Sequence, residues 1–355
     1  MIGILKRHFM NILPVATSAV ACLLIISKSA IASEGIINGL KICSSVIIPS
    51  LFPFMVFSSF VIKSGIYIKL GKLLGKPIKL IFNLPACSSG AVIMGFIGGY
   101  PIGISITTEL LEIGAIEEKQ AKRLALFSVN AGPAFVVSAV GSVIYQSKNI
   151  GYILLASTLL SSITIGVIAG IFSRIKGEKA PEKVNLKRHE KFSSAFVSAT
   201  ESAAKAILSI CMWVVTFGAI ISFAKALPIS KEINVLLCGI LEVTSGCTMS
   251  AGVFPLAVTA TLISFSGFCI FFQLMPSIKK IGLKFSSFLL SRIACAVLSF
   301  IYCTALTHIF PNSVQVFSNA TAITRGFSVS IPAIICLIAT CIVLIFDVDR
   351  SKKVC

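Results

Sequence analysis

Residues 81–108 decide the fold, because they read IFNLPACSSGAVIMGFIGGYPIGISITT and contain no charged side chain. A helix needs about 20 apolar residues to span a bilayer. This stretch is longer, and the segment GGYP at 98–101 divides it into two pieces. Irregular backbone at membrane depth is tolerated only where protein or a water-filled cavity satisfies its polar groups. The stretch therefore predicts a re-entrant hairpin rather than one plain spanning helix.

The composition of the whole chain agrees with a membrane protein. Its 355 residues are 56% hydrophobic and only 12% charged, whereas soluble domains carry about 25% charged residues. This hydrophobicity excludes a disordered chain and disfavours a soluble enzyme. The formal net charge is +18, but the basic residues lie in short segments between apolar runs. That distribution indicates membrane topology rather than a nucleic-acid-binding face.

Two basic segments mark the cytoplasmic side, because cytoplasmic loops carry an excess of Lys and Arg. Residues 63–79 contain five Lys and no acid, and their spacing predicts a helix lying on an anionic membrane surface. Residues 173–191 contain seven Lys and Arg with three Glu, and they predict a linker. The short segment 36–45 and the more polar segment 192–205 predict interfacial helices.

These features predict an all-α polytopic membrane protein with about eight spanning helices and two broken or re-entrant hairpins. Residues 1–34 predict a first transmembrane helix, although their basic start and SAIA ending also fit a cleaved signal peptide. The plain spans are expected at 46–62, 151–172, 206–224, 285–306 and 326–346. The predicted organisation is a first repeat at 35–172, the basic linker at 173–191, a second repeat at 192–307, and a last helix with a basic tail at 308–355.

The two halves overlay at an offset of 167–168 residues. This places Gly98 and Gly99 over residues 265–267, and residues 112–114 over 280–282. The overlay predicts a duplication, with the second hairpin broken at Ser266 and Gly267. Interrupted hydrophobic segments at matching places in two halves indicate a transporter binding site. An inverted repeat is favoured, but the side on which Lys279, Lys280 and Lys284 lie stays open.

The candidate site consists of residues at helix breaks and of two charges within apolar runs. A helix that begins at a break directs its N–H groups and positive dipole end at an anion. Arg292 could attract an anion, pair with Glu242 or reach to the interface, and Glu242 could carry a coupling proton or cap a helix. The candidate substrate-binding residues are Gly98, Gly99, Tyr100, Pro101, Ser128, Asn130, Gly132, Pro133, Ser266, Gly267 and Arg292, and the candidate coupling residue is Glu242.

The sequence predicts no enzyme, metal site or cofactor. Its 12 Cys include no CxxC pair, and its three His are far apart. It also lacks a HExxH or GxSxG motif.

Three segments together resemble a known family. They are IPSLFPF at 48–54, GGYPIG at 98–103 and NAGPAF at 130–135, and LEVTSGC at 241–247 is similar to the matching element of the second half. The chain resembles the sporulation integral membrane protein family YlbJ, also called SpoVV, within the wider group that has nucleoside-recognition (Gate) domains. The resemblance extends from about residue 35 to residue 303.

The resemblance implies a multi-pass protein of the outer forespore membrane or cell membrane of an endospore-forming bacterium. It also implies movement of dipicolinic acid from the mother cell towards the forespore. The alternatives are a nucleoside or other small-solute transporter of the Gate type, and a non-transport protein of spore-envelope assembly. The expected partners are a small anionic solute such as dipicolinate and the lipid bilayer, without nucleic acid, and a homo-oligomer stays open.

Overall fold

The computed structural model describes residue 23, residues 26–178 and residues 191–311, and these residues form helices without a β-strand. Residues 1–22, the middle of the basic linker and the predicted last span at 326–346 lie outside the described residues. The helices of the first half are α1 (Ser29–Ile42), α2 (Ile48–Lys63), α3 (Ile66–Phe82), α4 (Ser89–Ile97), α5 (Tyr100–Glu112), α6 (Glu118–Phe127), α7 (Ala134–Ile144) and α8 (Lys148–Ile175). Those of the second half are α9 (Phe192–Lys225), α10 (Lys231–Leu241), α11 (Val243–Ser250), α12 (Leu256–Phe265), α13 (Gly267–Ile281) and α14 (Phe285–Ile309).

Within the described residues, four segments are long and apolar enough to cross a membrane. They are α8, α9, α14 and the joined helices α12 and α13. A bent pair, Gly71–Phe82 with Ala86–Ile97, turns by 101° and adds at most one more. The protein is therefore an integral, multi-pass membrane protein, but the described part shows fewer than the eight spans expected. Leu51–Lys63 and Ala134–Ile144 are apolar but too short to be counted.

The segments 36–45 and 192–205, predicted as short interfacial helices, are not separate helices. The first is part of α1, which continues through a π-helical turn at Cys43–Ile47 into α2, and the second is the first part of the 34-residue helix α9. Gly39 of α1 packs so closely on α9 that an added Cβ would lie 2.9 Å from the Val215 Cα. Because Gly39 has no side chain to hold the helices apart, α1 can pack directly along α9, a candidate membrane span.

The hairpin predicted in residues 81–108 is present. Helix α4 ends at Ile97, and Gly98 caps it. Gly99 adopts a φ of +99°, a conformation that favours glycine. Helix α5 then begins, with Pro101 in its first turn. The two arms meet where a Cβ on Gly103 would lie 2.9 Å from the Gly95 Cα. We call α4 and α5 the first hairpin.

The second hairpin is formed by α10 and α11, and its tip is Glu242 rather than Ser266 and Gly267. The Glu242 backbone is extended, with φ −151° and ψ 128°, and Gly239 and Gly246 allow the two arms to touch. Ser266 and Gly267 do interrupt a helix, since both have a positive φ. The chain nevertheless continues from α12 into α13 as one candidate span, Leu256–Ile281. The overlay at 167–168 residues therefore paired a hairpin tip with a break inside a spanning helix.

The ends of the two hairpins that lie away from their tips are at opposite ends of the molecule. Helices α5 and α13 end together, because Lys280 Nζ lies 2.9 Å from Glu112 Oε1. Helices α7 and α11 end together through Thr259, whose hydroxyl bonds Tyr145 and, at 2.8 Å, Ser250.

The 28-residue helix α8 separates these two places by about 42 Å. It starts just after Tyr145 and ends beside α6, where Arg123 pairs with Glu178 at 3.1 Å. We call the end that carries Arg174 and Lys280 the basic end. Lys280 therefore lies at the same end as the start of the linker, which the sequence left open.

Candidate functional site

Four helix N-termini converge on one cavity of about 140 Å³, which we call the central cavity. Its lining includes the starts of α5 and α11 at the hairpin tips, the start of α7, and the first turns of α13. Each hairpin tip contacts the break of a helix. A Cβ on Gly132 would lie 3.0 Å from the Gly99 nitrogen, and one on Gly267 would lie 3.2 Å from the Glu242 Cα. The cavity thus lies where both hairpins meet both breaks.

The walls of the central cavity are mostly apolar. The apolar lining residues include Ile47, Leu51, Phe54, Ile97, Phe135, Ile210, Val214, Val243 and Ile270. The polar side chains are those of Tyr100, Glu242, Thr244 and Gln273, and no Lys or Arg is among the lining residues that the structure describes. Gln273 donates to Cys269 Sγ at 3.3 Å. Such a lining suits a flat, partly apolar solute held by a few polar contacts.

Glu242 is the charged side chain of the central cavity. Its carboxylate accepts hydrogen bonds from the N–H groups of Thr244 at 2.6 Å and Ser245 at 2.7 Å, so it caps α11. Negative charge at this position is stabilised by the positive end of the helix dipole. Glu242 also lines a neighbouring cavity of about 340 Å³ between α1, α9 and α11, which we call the side cavity. The two cavities share Ile47, Val214, Glu242 and Thr244.

Six of the twelve predicted site residues line the central cavity: Gly98, Gly99, Tyr100, Pro101, Gly132 and Glu242. The other six do not: Ser128, Asn130, Pro133, Ser266, Gly267 and Arg292. Most of this second group supports the backbone around the cavity. Pro133 starts α7, and Gly267 packs on the tip of the second hairpin.

Asn130 and Ser128 hold the end of α6. The Asn130 amide donates to the Phe127 carbonyl at 2.8 Å, and its oxygen accepts a hydrogen bond from Ser162 of α8. The Ser128 carbonyl fits between Gly95 and Gly103, where neither glycine leaves room for a Cβ. Both residues are buried. They therefore fix the break that precedes α7 rather than face the cavity.

Arg292, a residue of α14, donates hydrogen bonds to carbonyl groups at the C-terminal end of α6. It is 1% exposed, and its guanidinium donates to the carbonyls of Val129 and Leu126, each at 2.5 Å. A cation at the C-terminus of a helix is favoured by the helix dipole. Arg292 makes no ion pair with Glu242 and does not reach the interface. Its predicted contact with an anionic solute has no support in this geometry.

Tyr100 joins the two halves of the molecule. Its hydroxyl donates to the Ile263 carbonyl at 2.7 Å, near the end of α12. The tip of the first hairpin is thus attached to the interrupted helix of the second half.

Lys41 and Gln273 are two residues of this region that the sequence predictions missed. Gln273 lines the central cavity, and Lys41 lines the side cavity. A signal for Lys41 was present, because it is the one charged residue between positions 35 and 62. No comparable signal marked Gln273. As to metals, the described residues include no cluster of three or more His, Cys, Asp or Glu that could hold an ion.

Comparison with known proteins gives one informative relative. The chain is 21% identical over 318 residues to the sporulation integral membrane protein YlbJ of Bacillus subtilis (strain 168), and the match covers 78% of this chain and 78% of the relative. No protein-family model matches the chain. No solved structure matches it either. The match supports the resemblance drawn from the IPSLFPF, GGYPIG and NAGPAF segments.

Proposed function

Since the chain belongs to the YlbJ family of sporulation integral membrane proteins, we propose that it transports a small anionic solute through the central cavity. The expected solute is dipicolinate, a planar aromatic dicarboxylate. The convergence of two hairpin tips and two helix breaks on one cavity carries this proposal. Interrupted helices that meet inside a bundle are the usual construction of a transporter's binding site.

The architecture supports transport by two related halves. Each half contributes a hairpin whose tip contacts an interrupted helix, Gly99 with Gly132 and Glu242 with Gly267. The two hairpins enter from opposite ends, as an inverted Gate-like repeat requires. Rocking of one half against the other would then expose the same cavity to each side of the membrane in turn. No catalytic step belongs to this proposal.

The chemistry of the cavity supports an anion with an apolar body. Each helix N-terminus contributes about half a positive charge and several N–H donors. Glu242 occupies the N-terminus of α11 with its own carboxylate, and the starts of α5, α7 and α13 also line the cavity. The carboxylates of dipicolinate would lie at these helix starts, and its ring would lie against Phe135 and Ile270.

By family resemblance, the transporter lies in the outer forespore membrane of an endospore former. It would move dipicolinate from the mother cell towards the forespore. Glu242 is our candidate for the residue that carries a coupling proton, because it is the charged residue among the described lining of the central cavity.

A nucleoside is the second candidate solute, and one observation favours it. The described lining of the central cavity contains no Lys or Arg, while Glu242 and Gln273 offer hydrogen-bonding groups. A neutral, flat solute with polar edges would fit such a lining without a counter-charge.

Uptake by purified protein in lipid vesicles distinguishes the two solutes. We expect time-dependent uptake of radiolabelled dipicolinate, inhibited by unlabelled dipicolinate and unaffected by uridine. Inhibition by uridine with uptake of labelled uridine would select the nucleoside. Absence of uptake for both solutes, with folded protein in the vesicles, would favour a role in spore-envelope assembly and would overturn transport.

A further inference from the structure

Lys41 lies at membrane depth, beside the middle of a spanning helix. On one side of it, Gly39 packs against Val215 of α9, and on the other side the Cys43 thiol approaches the Cys211 carbonyl at 3.7 Å. Lys41 therefore lies level with residues 211–215, whereas α9 extends from Phe192 to Lys225. Residues 211–215 fall within the uncharged run 206–224 of this 34-residue helix, which is the part expected to span the bilayer.

A lysine at this depth needs a reason, because a charged side chain in the hydrocarbon core is costly. Lys41 is exposed, and it lines the side cavity rather than the helix contact. Within the described residues it forms no salt bridge. Glu242 is the acidic residue among the described lining of the same cavity, and its carboxylate accepts hydrogen bonds from the N–H groups of Thr244 and Ser245. Lys41 and Glu242 therefore line the same cavity, but no salt bridge joins them in the described part of the chain, so the Lys41 ammonium can bind an anion.

The side cavity connects this lysine to the end of α9. Lys225, the last residue of α9, lines the same cavity, which extends inward along Gly218 and Ser222. At its inner side the cavity shares Val214, Glu242 and Thr244 with the central cavity. The side cavity thus has Lys225 and Lys41 in its lining and lies next to the central cavity, with Val214, Glu242 and Thr244 forming part of the wall of both.

We propose that Lys41 binds an anionic group of the transported solute in the side cavity, and that Lys225 attracts the anion to its opening. The chemical class is a small dianion such as an aromatic dicarboxylate. This inference rests on the proposed function and assigns a positive charge to the cavity next to the central one. Asn38, Ser222 and Thr248 line the same cavity and offer further hydrogen bonds.

Binding measurements on the detergent-purified protein test this assignment by isothermal titration calorimetry. The two probes are dipicolinate and pyridine-2,6-dicarboxamide, which has a similar shape and no charge. We expect Lys41→Gln to weaken dipicolinate binding about tenfold or more, because a charge-assisted hydrogen bond is lost. Lys41→Arg should retain most of the affinity, and the weak binding of the diamide should not change. Lys69→Gln, at an exposed lysine of α3 outside both cavities, is the matched control.

The two lysines should differ in their response to salt. Lys225 lies at the end of a helix, so the effect of Lys225→Gln should disappear at 1 M NaCl, where the Debye length is about 3 Å. The effect of Lys41→Gln should persist, because an ion pair formed inside a cavity at membrane depth is screened much less than one at the surface. In the wild-type protein, dipicolinate should also protect Lys41, but not Lys69, from acetylation by an amine-reactive reagent, read by peptide mass spectrometry. This last measurement needs no variant to fold.

The outcomes separate the two proposals. If wild-type protein binds dipicolinate, but Lys41→Gln binds it equally well or Lys41 is unprotected, the assignment of Lys41 is wrong and the transport proposal stands. If wild-type protein binds the diamide as tightly as dipicolinate, or binds neither, the preference for an anion is wrong and both proposals are overturned.

Discussion

Gly132 lies against Gly99, so closely that a Cβ added to Gly132 would be 3.0 Å from the Gly99 nitrogen and 2.9 Å from the Ile97 carbonyl oxygen. This contact joins the tip of the first hairpin to the break before α7. Gly267 stands in the same relation to the second hairpin, with an added Cβ 3.2 Å from the Leu241 oxygen. The central cavity therefore depends on two positions that have no side chain.

Gly132→Ala should lower dipicolinate affinity about tenfold or more. The added methyl group meets backbone atoms, which cannot rotate away as a side chain can, so the hairpin tip must move out of the cavity. Calorimetric titration of purified protein measures the change.

Gly90→Ala is the matched control for that variant. Its added Cβ would lie 3.5 Å from the Tyr67 Cβ, an ordinary van der Waals contact. Wild-type affinity in Gly132→Ala would show that the contact between Gly132 and the first hairpin does not shape the site.

Arg292→Met should destabilise the protein without weakening solute binding. Removal of the guanidinium leaves the buried carbonyls of Leu126 and Val129 without these donors, at a cost of about 2–4 kcal/mol in the free energy of unfolding. Thermal unfolding in detergent would detect the change as a lower Tm. Binding measured well below that temperature should stay within about twofold of wild type, because Arg292 does not line the central cavity.

Arg174→Met provides the comparison for Arg292. Arg174 also donates to a helix-terminal carbonyl, that of Lys79 at 3.1 Å, but this bond is exposed to solvent. Its loss should cost less than about 1 kcal/mol, because water replaces the donor. An unchanged Tm in Arg292→Met together with lost binding would restore a direct role of Arg292 in solute recognition.

Glu242→Gln should abolish any dependence of uptake on a proton gradient while preserving the fold. The amide oxygen can still accept one of the two N–H bonds at the start of α11, but an amide cannot take up or release the proton of a carboxyl group. Glu242→Ala also removes the cap, at a further cost of about 1 kcal/mol. Uptake into vesicles with and without an imposed pH difference measures the effect. Gradient-driven uptake by Glu242→Gln would exclude Glu242 as the coupling residue.

Tyr100→Phe should loosen the first hairpin. The Ile263 carbonyl loses its 2.7 Å hydrogen bond inside the protein, which costs about 1–2 kcal/mol. Hydrogen exchange followed by mass spectrometry should show faster exchange at residues 94–104. Tyr152→Phe, at a tyrosine of α8 that is 57% exposed, should leave exchange there unchanged. Equal exchange in both variants would mean that the Tyr100 hydroxyl does not hold the tip.

Local sequence signals were sufficient for the first hairpin. Gly99 supplies a backbone conformation that favours glycine, and Pro101 starts a helix, so the break could be predicted without knowledge of the surroundings. The second hairpin could not be placed this way, because Glu242 ends one helix and caps the next within a single residue. The pair Gly239 and Gly246 on either side of Glu242 was the available signal, since Gly95 and Gly103 flank the first tip in a similar way, eight residues apart instead of seven.

Side-chain roles depended on packing that the sequence does not contain. Arg292 and Glu242 were both identified as unusual charges, but only the fold shows that one caps buried carbonyls and the other lines a cavity. Lys41 falls in the segment 36–45, which was predicted as a short interfacial helix. The close approach of Gly39 to α9 instead places it at membrane depth.

The central claim is that this chain alone carries an aromatic dicarboxylate across a bilayer through the cavity between the two hairpins. The most direct measurement is the initial rate of labelled dipicolinate uptake into vesicles that contain only the purified wild-type, Gly132→Ala or Gly90→Ala protein. We predict saturable uptake by wild type and Gly90→Ala, and a rate reduced about tenfold or more in Gly132→Ala. Equal uptake by all three proteins, or none above protein-free vesicles by folded wild-type protein, would contradict the account.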